Sequence, residues 1–397
     1  MLVSTIELFT RARRGKDLGI NGAENLRLDW RAVIERKDRI VASWSKGKEA
    51  TPSKLGIPVL RGMGTFAGPH EIRVNGNTLS AEKIIIATGS KPGRPAIPGA
   101  ELGITSDELI HLKERPEQLV VVGGGFIGLE FGFALARAGT KVTLLQSGPQ
   151  IGPGLDDEIR DILLKAANGL EMTILTNVKV RAIAPDKSVE AETARRAERY
   201  PADTVLLATG RPANVEPLNP QAAGIELDGS AVKVNEYLQS VSAPHIYAVG
   251  DAAGKRQHSP VAWYEGPIAA HNALKGNERK VDFSVFPNAI FTIPAIGQVG
   301  LTEKEALARG FKARAAKLFY DANPAAGVRD ETEGMVKVVY EEATDRILGV
   351  HVIGAHAEDI VQIAAVAIRA GMKKSEVGAM HYVFPTFGGA IFDAMAT

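Results

Sequence analysis

Four short apolar runs mark the middle of the chain: VVV at residues 120–122, VTLL at 142–145, MTIL at 172–175 and VLLA at 205–208. Runs this short, rich in β-branched residues and lacking polar alternation, predict strands buried on both faces, as in a parallel sheet. Between the first two the period changes. Phe126, Ile127, Phe131 and Leu135 fall on one face of a predicted helix that reaches Arg137 and stops at Gly139, a residue suited to the left-handed position past a helix end. Strand, helix and strand form one βαβ unit. Two strands also end in the same turn, KIIIATGS at residues 83–90 and TVLLATGR at 204–211, which suggests internal duplication. Further on, Ile360, Ile363, Ala364 and Ala367 recur at i, i+3, i+4 and i+7, with Gly371 beyond. They predict an amphipathic helix that packs on its own sheet or on a partner subunit. The class expected from this alternation is α/β.

The turn inside the βαβ unit carries the chemistry. It reads VVVGGGFIGLE over residues 120–130, so Gly123, Gly125 and Gly128 supply G-x-G-x-x-G between a strand and a helix. Gly123 would make the tight turn, Gly125 would admit a pyrophosphate close to the backbone, and Gly128 would let the helix pack closely. The phosphates would then meet the free N–H groups at the helix start. The second strand ends at Gln146, where an acidic residue would accept from a ribose 2′-hydroxyl and a nearby arginine would favour a 2′-phosphate. A neutral amide repels neither, so the sequence leaves NAD and NADP both open.

Composition narrows the remaining classes. The chain has 397 residues, 45% of them hydrophobic, and a formal net charge of +1. That length supports two or three domains, and that charge offers no basic patch for nucleic acid. No apolar run approaches the roughly 18 residues of a membrane span, and the start lacks the order of a secretion signal, so cytoplasmic residence is expected. There is no cysteine, which removes disulfides, thiolate nucleophiles and sulfur-ligated metals. His351, His356, Glu358 and Asp359 are the remaining metal candidates, but ILGVHVIGAHAED reads as a strand running into a helix cap, and no metal site is expected there.

A last motif fixes the resemblance. HIYAVGDAAG at residues 245–254 sets a short strand before Gly250 and Asp251, whose carboxylate suits the hydroxyls of a bound cofactor. With the glycine loop and both Ala-Thr-Gly turns, it resembles the flavin-dependent pyridine nucleotide-disulfide oxidoreductases, the family of dihydrolipoamide, glutathione and mercuric reductases. Further matching stretches are PGAELGITSDEL from residue 98, PAIGQVGLTEKEA at 294–306, RILGVHVIGAHAEDI from 346 and FPTF at 384–387, so the likeness covers essentially the whole chain. The resemblance implies two Rossmann-like nucleotide-binding domains and a C-terminal α+β dimerisation domain. FAD would belong to residues 1–115 and 212–282, NAD(P)H to 116–211, and homodimerisation to 283–397. Gly64, Thr88, Gly89, Gly250 and Asp251 match flavin-holding positions, Asp251 on the ribityl chain. Glu130 matches a residue near flavin and nicotinamide, and Gly210 ends the turn of the second nucleotide unit.

The pattern also breaks. The distance from Gly123 to Ala208, counted back from Ala87, falls at the start of the chain, yet residues 1–14 contain no glycine. The first nucleotide loop and the Cys-x4-Cys helix of the family are therefore not in this sequence, as if it started downstream of the family's N-terminus. Phe384 stands where the proton-handling histidine is expected and Gly389 where its glutamate is, so no catalytic residue is assigned; His381 would need a register shift to substitute. Weak or absent FAD binding, exposed sheet edges in the flavin half and an intact NAD(P)H half are expected. Function divides three ways: an FAD-dependent NAD(P)H oxidoreductase, a diaphorase passing electrons to a small-molecule acceptor such as a quinone or metal, or a silent dimerising NAD(P)-binding module. Neither nucleic acid nor membrane is an expected partner.

Overall fold

The computed structural model describes residues 1–194 and 196–397. Its contacts divide the chain into two compact units, Met1–Lys37, Arg94–Thr209 and Phe283–Thr397 in the first and Asp38–Gly93 and Gly210–Asp282 in the second.

The first unit contains a five-stranded parallel sheet in the order Ile104–Thr105, Thr204–Leu207, Gln118–Val122, Lys141–Leu145, Met172–Leu175. All four apolar runs lie in it, and the reason for their unbroken hydrophobicity is visible in the packing. Leu119, Val121, Leu144 and Leu206 point to a core shared with helices Phe126–Arg137 and Asp157–Asn168. Their neighbours Val120, Val122, Val205 and Leu207 point the other way, to Val189 and Ala191 of a three-stranded antiparallel sheet. Both faces are covered, so neither can be polar. The helix after the glycine loop spans Phe126–Arg137, but its deepest side chains are Leu129, Phe133 and Leu135. Ile127 and Phe131, expected on the buried face, are only partly covered, because the stripe through Leu129, Gly132, Phe133 and Ala136 lies nearly opposite the face read from the sequence. Helix Leu2–Arg13 packs on the same core through Ile6, beside Trp30, whose indole N–H donates to the carbonyl of Leu112 at 2.7 Å.

A second sheet in this unit is antiparallel, in the order Asn288–Ile290, Ile296–Gly300, Ile347–Ile353, Met335–Glu341, Ala313–Phe319. Helix Ala357–Arg369 lies on one face and buries Ile360, Val361 and Ala364 against it. The expected stripe therefore faces its own sheet. Gly297 makes this possible, since a Cβ there would overlap the carbonyl oxygen of Ala357. The opposite face carries Lys337, whose side chain is 3% exposed and whose ammonium meets Asp156 at 3.0 Å, Glu158 at 2.7 Å and Glu303 at 2.9 Å. Asp156 also caps helix Asp157–Asn168 by accepting from the Glu158 N–H. The ion cluster thus fastens the start of a helix from the nucleotide sheet to the antiparallel sheet.

The second unit holds a three-stranded antiparallel sheet, Gly64–Gly68, Glu71–Val74 and Asn77–Ser80. It also holds a parallel pair, Ile84–Ile86 with Ile246–Ala248, and helix Ser259–Lys275. Its core gathers Phe66, Ile84, Ile86, Val215, Ile225 and Ile246. Among the described residues no strand lies on the outer edge of Ile84–Ile86, and Ile85 in mid-strand is 40% exposed. Trp44, Leu55, Leu60, Met63 and Trp263 in the same unit are exposed as well. Open edge and bare apolar surface are what a parallel sheet shows when its strands lack neighbours.

Candidate functional site

The glycine loop leaves the parallel sheet at the carboxyl end of Gln118–Val122, the edge at which open α/β sheets bind nucleotides. Gly123 has φ +113°, and a Cβ there would overlap the carbonyl oxygen of Ala208, in the turn after the neighbouring strand. Gly128 is equally constrained: a Cβ would overlap the oxygen of Gly123. Only glycine satisfies both positions. Gly125 differs, because its backbone is extended, it is the N-cap of the helix, and nothing lies within 4 Å of where its Cβ would be. Its missing side chain leaves open space at a helix start with no side-chain cap, where unfulfilled N–H groups and the positive end of the dipole favour an anion.

Gln146 takes part in a way the sequence did not indicate. Its side-chain oxygen accepts from the Gly124 N–H at 2.9 Å, bracing the loop from the end of the next strand. That bond leaves the amide NH2 as the available donor, and a donor suits a ribose hydroxyl oxygen and a phosphate oxygen alike. Glu130, in the first turns of the helix, accepts from the Phe291 N–H at 2.9 Å. Burial pushes its carboxyl above the usual range, and the Phe291 bond opposes this.

The flavin-matching residues lie in the second unit. Asp251 opens the short turn Gly250–Ala253 and accepts from the Ser90 hydroxyl at 2.5 Å, while Ser90 accepts from Arg211 Nε at 3.0 Å. Gly89, with φ +68°, therefore stands beside the Asp251 carboxylate through its neighbour Ser90, and Thr88 before it is exposed. Gly250 has φ +61° and donates its N–H to Glu265 at 2.6 Å. Glu265 is fully buried with Oε1 unpartnered; burial pushes its carboxyl up, and the Gly250 bond opposes this. Gly64 begins the antiparallel hairpin, where a Cβ would make only ordinary contacts. Gly210, at φ +108°, accepts from the Gly93 N–H at 2.8 Å and has open space around it. Ser90 and Arg211, each directly after an Ala-Thr-Gly turn, and Glu265 were not singled out in the sequence.

Of the metal candidates, His351 is fully buried in the antiparallel sheet and donates through Nε2 to the Leu301 carbonyl at 3.0 Å. Burial lowers its affinity for a proton. His356 caps helix Ala357–Arg369 with φ +62°. Phe384 is exposed and follows the exposed His381 by three residues, while Gly389 is buried against Tyr382.

These residues fit the two nucleotides unequally. The loop at Gly123–Gly128 has a cradle, an uncapped helix start and the Gln146 amide beside it, groups of the kind that suit a dinucleotide's phosphates and ribose. The second unit offers the Asp251 carboxylate beside the glycines Gly89 and Gly250. The sequence holds no second G-x-G-x-x-G for the pyrophosphate of FAD, so the residues present do not complete a flavin site.

A parallel sheet with a glycine loop at its carboxyl edge, helices on one face and a small antiparallel sheet on the other, is a dinucleotide-binding α/β fold, here followed by a second, antiparallel sheet. The chain belongs to the pyridine nucleotide-disulphide oxidoreductase family, whose model matches residues 22–273 and whose dimerisation-domain model matches residues 286–395. Mercuric reductase of Staphylococcus aureus is 35% identical over 351 residues, 87% of this chain and 64% of that protein. Dihydrolipoyl dehydrogenase of Bacillus subtilis is 32% identical over 415 residues, 99% of this chain and 87% of that protein. The HOCl-induced flavoprotein disulfide reductase RclA from Escherichia coli superposes with a TM-score of 0.86 at 26% identity, covering 98% of this chain and 89% of that one. The chain spans less than two thirds of the length of the mercuric reductases it matches. No described helix is long and apolar enough to cross a membrane.

Proposed function

We propose that the chain is an NAD(P)H oxidoreductase of the flavin-dependent type, with a complete pyridine-nucleotide site in residues 116–211, a half-built flavin site in residues 1–115 and 212–282, and no disulfide chemistry. The observation that carries this reading is the triple glycine constraint: Gly123 and Gly128 are forced by backbone overlap and Gly125 by nothing but the space it leaves. A glycine that no packing demands, at an uncapped helix start, supports a bound phosphate rather than a structural turn. Gly125 and its neighbours bind the pyrophosphate, Gln146 holds the loop and offers its amide to the adenosine ribose, and Glu130 is positioned with its buried carboxylate by Phe291. No step is derived through the flavin, because its pyrophosphate has no loop to hold it.

Disulfide reduction lacks its means. The sequence contains no cysteine, and neither Phe384 nor Gly389 exchanges protons near neutral pH. A small-molecule acceptor that takes electrons without a thiol, such as a quinone or metal ion, fits the remaining residues, and residues 283–397 serve a homodimer. Calorimetric titration of the purified chain with NADH and NADPH tests the first claim, and saturable binding of neither would overturn it. Visible absorbance before and after incubation with excess FAD tests the second: stoichiometric retained flavin would refute the half-built site. With excess FAD supplied, NAD(P)H oxidation with a quinone, and none with a disulfide, favours this reading over a silent binding module.

A further inference from the structure

The C-terminal part of the first unit carries a half-open cavity of about 520 Å³ with no residue of the glycine loop in its wall. Its apolar lining includes Leu301, Phe311, Leu348 and Met372, and three arginines from three different elements share it. Arg309 follows helix Glu303–Ala308, Arg346 precedes strand Ile347–Ile353, and Arg369 ends helix Ala357–Arg369. No carboxylate lines the cavity.

The acids adjacent in sequence are engaged elsewhere. Glu305 accepts from the Thr302 N–H and hydroxyl at 2.9 and 3.1 Å, closing a capping box. Asp345 accepts from the Ser375 N–H at 2.7 Å, and Glu342 pairs with Arg314 at 3.0 Å. Neither Arg309 nor Arg346 enters an ion pair among the described residues. Arg309 and Arg346 thus place two guanidinium groups beside one partly apolar hollow, and an anion oxygen there meets positive charge. Guanidinium forks match carboxylate and phosphate oxygens in pairs, and the volume lies in the range of small-ligand sites.

We propose that this cavity binds an amphipathic anion: a phosphate or carboxylate head held by Arg309 and Arg346, with an apolar body against Leu301, Phe311, Leu348 and Met372. The head group and the apolar lining are both required, so inorganic phosphate alone and a neutral alkyl alcohol alone each bind at least tenfold more weakly than the combined ligand.

The test is calorimetric titration of the full chain with decyl phosphate, decanoate, inorganic phosphate and decanol. One amphiphilic anion binds per chain, and whichever head binds more tightly identifies the ligand as phosphate or carboxylate. The double variant Arg309→Gln/Arg346→Gln weakens that binding at least tenfold, whereas Arg314→Gln, which removes a paired arginine outside the cavity, leaves it unchanged. Circular dichroism confirms that both variants fold. NADH titration is unaffected in all of them, which separates this site from the glycine loop. Equal binding of decanol, an unchanged affinity in the double variant, or absence of saturable binding by either anion overturns the proposal.

Discussion

Replacing Lys337 by methionine probes the joint between the nucleotide sheet and the antiparallel sheet. The ammonium is almost fully buried and meets three carboxylates within 3.0 Å. Methionine fills nearly the same space, so the loss is electrostatic rather than a cavity. It leaves Asp156, itself 4% exposed at the side chain, beside Glu158 and Glu303, and among the described residues the remaining ion pair to this group is Lys317 with Glu158. Removing one partner of a buried ion pair costs about 3–5 kcal/mol, because the remaining charge stays desolvated. Partial exposure of Glu158 and Glu303 places the expected loss at the lower end, about 3 kcal/mol.

The pH dependence carries the sign. Burial alone would push the Lys337 ammonium down, but hydrogen bonds from it to Glu158, Glu303 and Asp156 hold it above the usual lysine value of 10.5. A raised lysine contributes its full stability below 10.5 and loses it only as pH rises through the folded value. Desolvation would raise Glu158, yet Lys317 and Lys337 hold it below 4.5, so its contribution is present above 4.5 and fades as pH falls through its folded value. Between these limits the wild-type cluster is at full strength. In Lys337→Met the three carboxylates repel, and acid relieves them, so the gap between variant and wild type narrows as pH drops from 7 towards 5. Urea unfolding monitored by circular dichroism at both pH values measures this. A loss under about 1 kcal/mol at pH 7, or a gap that widens in acid, would refute the buried-cluster account. Adding Asp156→Asn should restore part of the loss at pH 7 by removing the charge left most deeply buried.

Three further outcomes are expected. Gly125→Val fills the one open position of the loop, so NAD(P)H affinity falls at least tenfold by calorimetry while the unfolding midpoint stays within experimental scatter; Gly128→Ala, which overlaps the Gly123 oxygen, lowers both. Gln146→Glu keeps an oxygen for the Gly124 N–H but adds a negative charge, so the ratio of NADPH to NADH affinity drops at least tenfold, and an unchanged ratio places the ribose elsewhere. Glu265→Gln removes a buried carboxyl whose folded pKa is raised above 4.5 by burial. A raised acid favours the fold at low pH and costs stability as pH rises through its folded value, so the variant should gain on wild type from pH 4 to pH 7 in thermal melts.

The parallel sheet was legible because its strands are buried on both faces and so carry no polar interruptions. Val120 and Val121 pack to opposite sides, yet both must be apolar, which makes the run visible without any period. Helix Phe126–Arg137 was legible in extent from its flanking glycines, but its buried stripe was misplaced: Phe126, Ile127, Leu129, Phe131, Phe133 and Leu135 are all apolar, so the pattern cannot say which of them lies deepest. Gln146 stood out only by the acid it is not, and its bond to Gly124 depends on a loop geometry that no local pattern encodes. Lys337 was invisible for a similar reason. Its partners Asp156, Glu158 and Glu303 come from distant parts of the chain, and a lysine within an apolar strand gives no sign of what it faces.

The two nucleotide regions differ in how their chemistry depends on neighbouring segments, and this decides which activity each supports alone. The Gly123–Gly128 loop is bounded by groups contributed from residues 122–208: the Ala208 oxygen, the Gln146 side chain and the start of its own helix. Every group that shapes the cradle comes from these residues, so the proposed nucleotide site draws on no other segment. Asp251 is held by Ser90, which Arg211 braces in turn, but those contacts fix a carboxylate, which repels phosphate. A carboxylate can orient sugar hydroxyls and cannot retain a pyrophosphate; that task needs backbone N–H groups at a helix start. Affinity for NAD(P)H and affinity for FAD should therefore respond to different changes: variants at Gly125 or Gln146 alter the first without touching the second, and Ser90→Ala, which frees Asp251, alters the second alone.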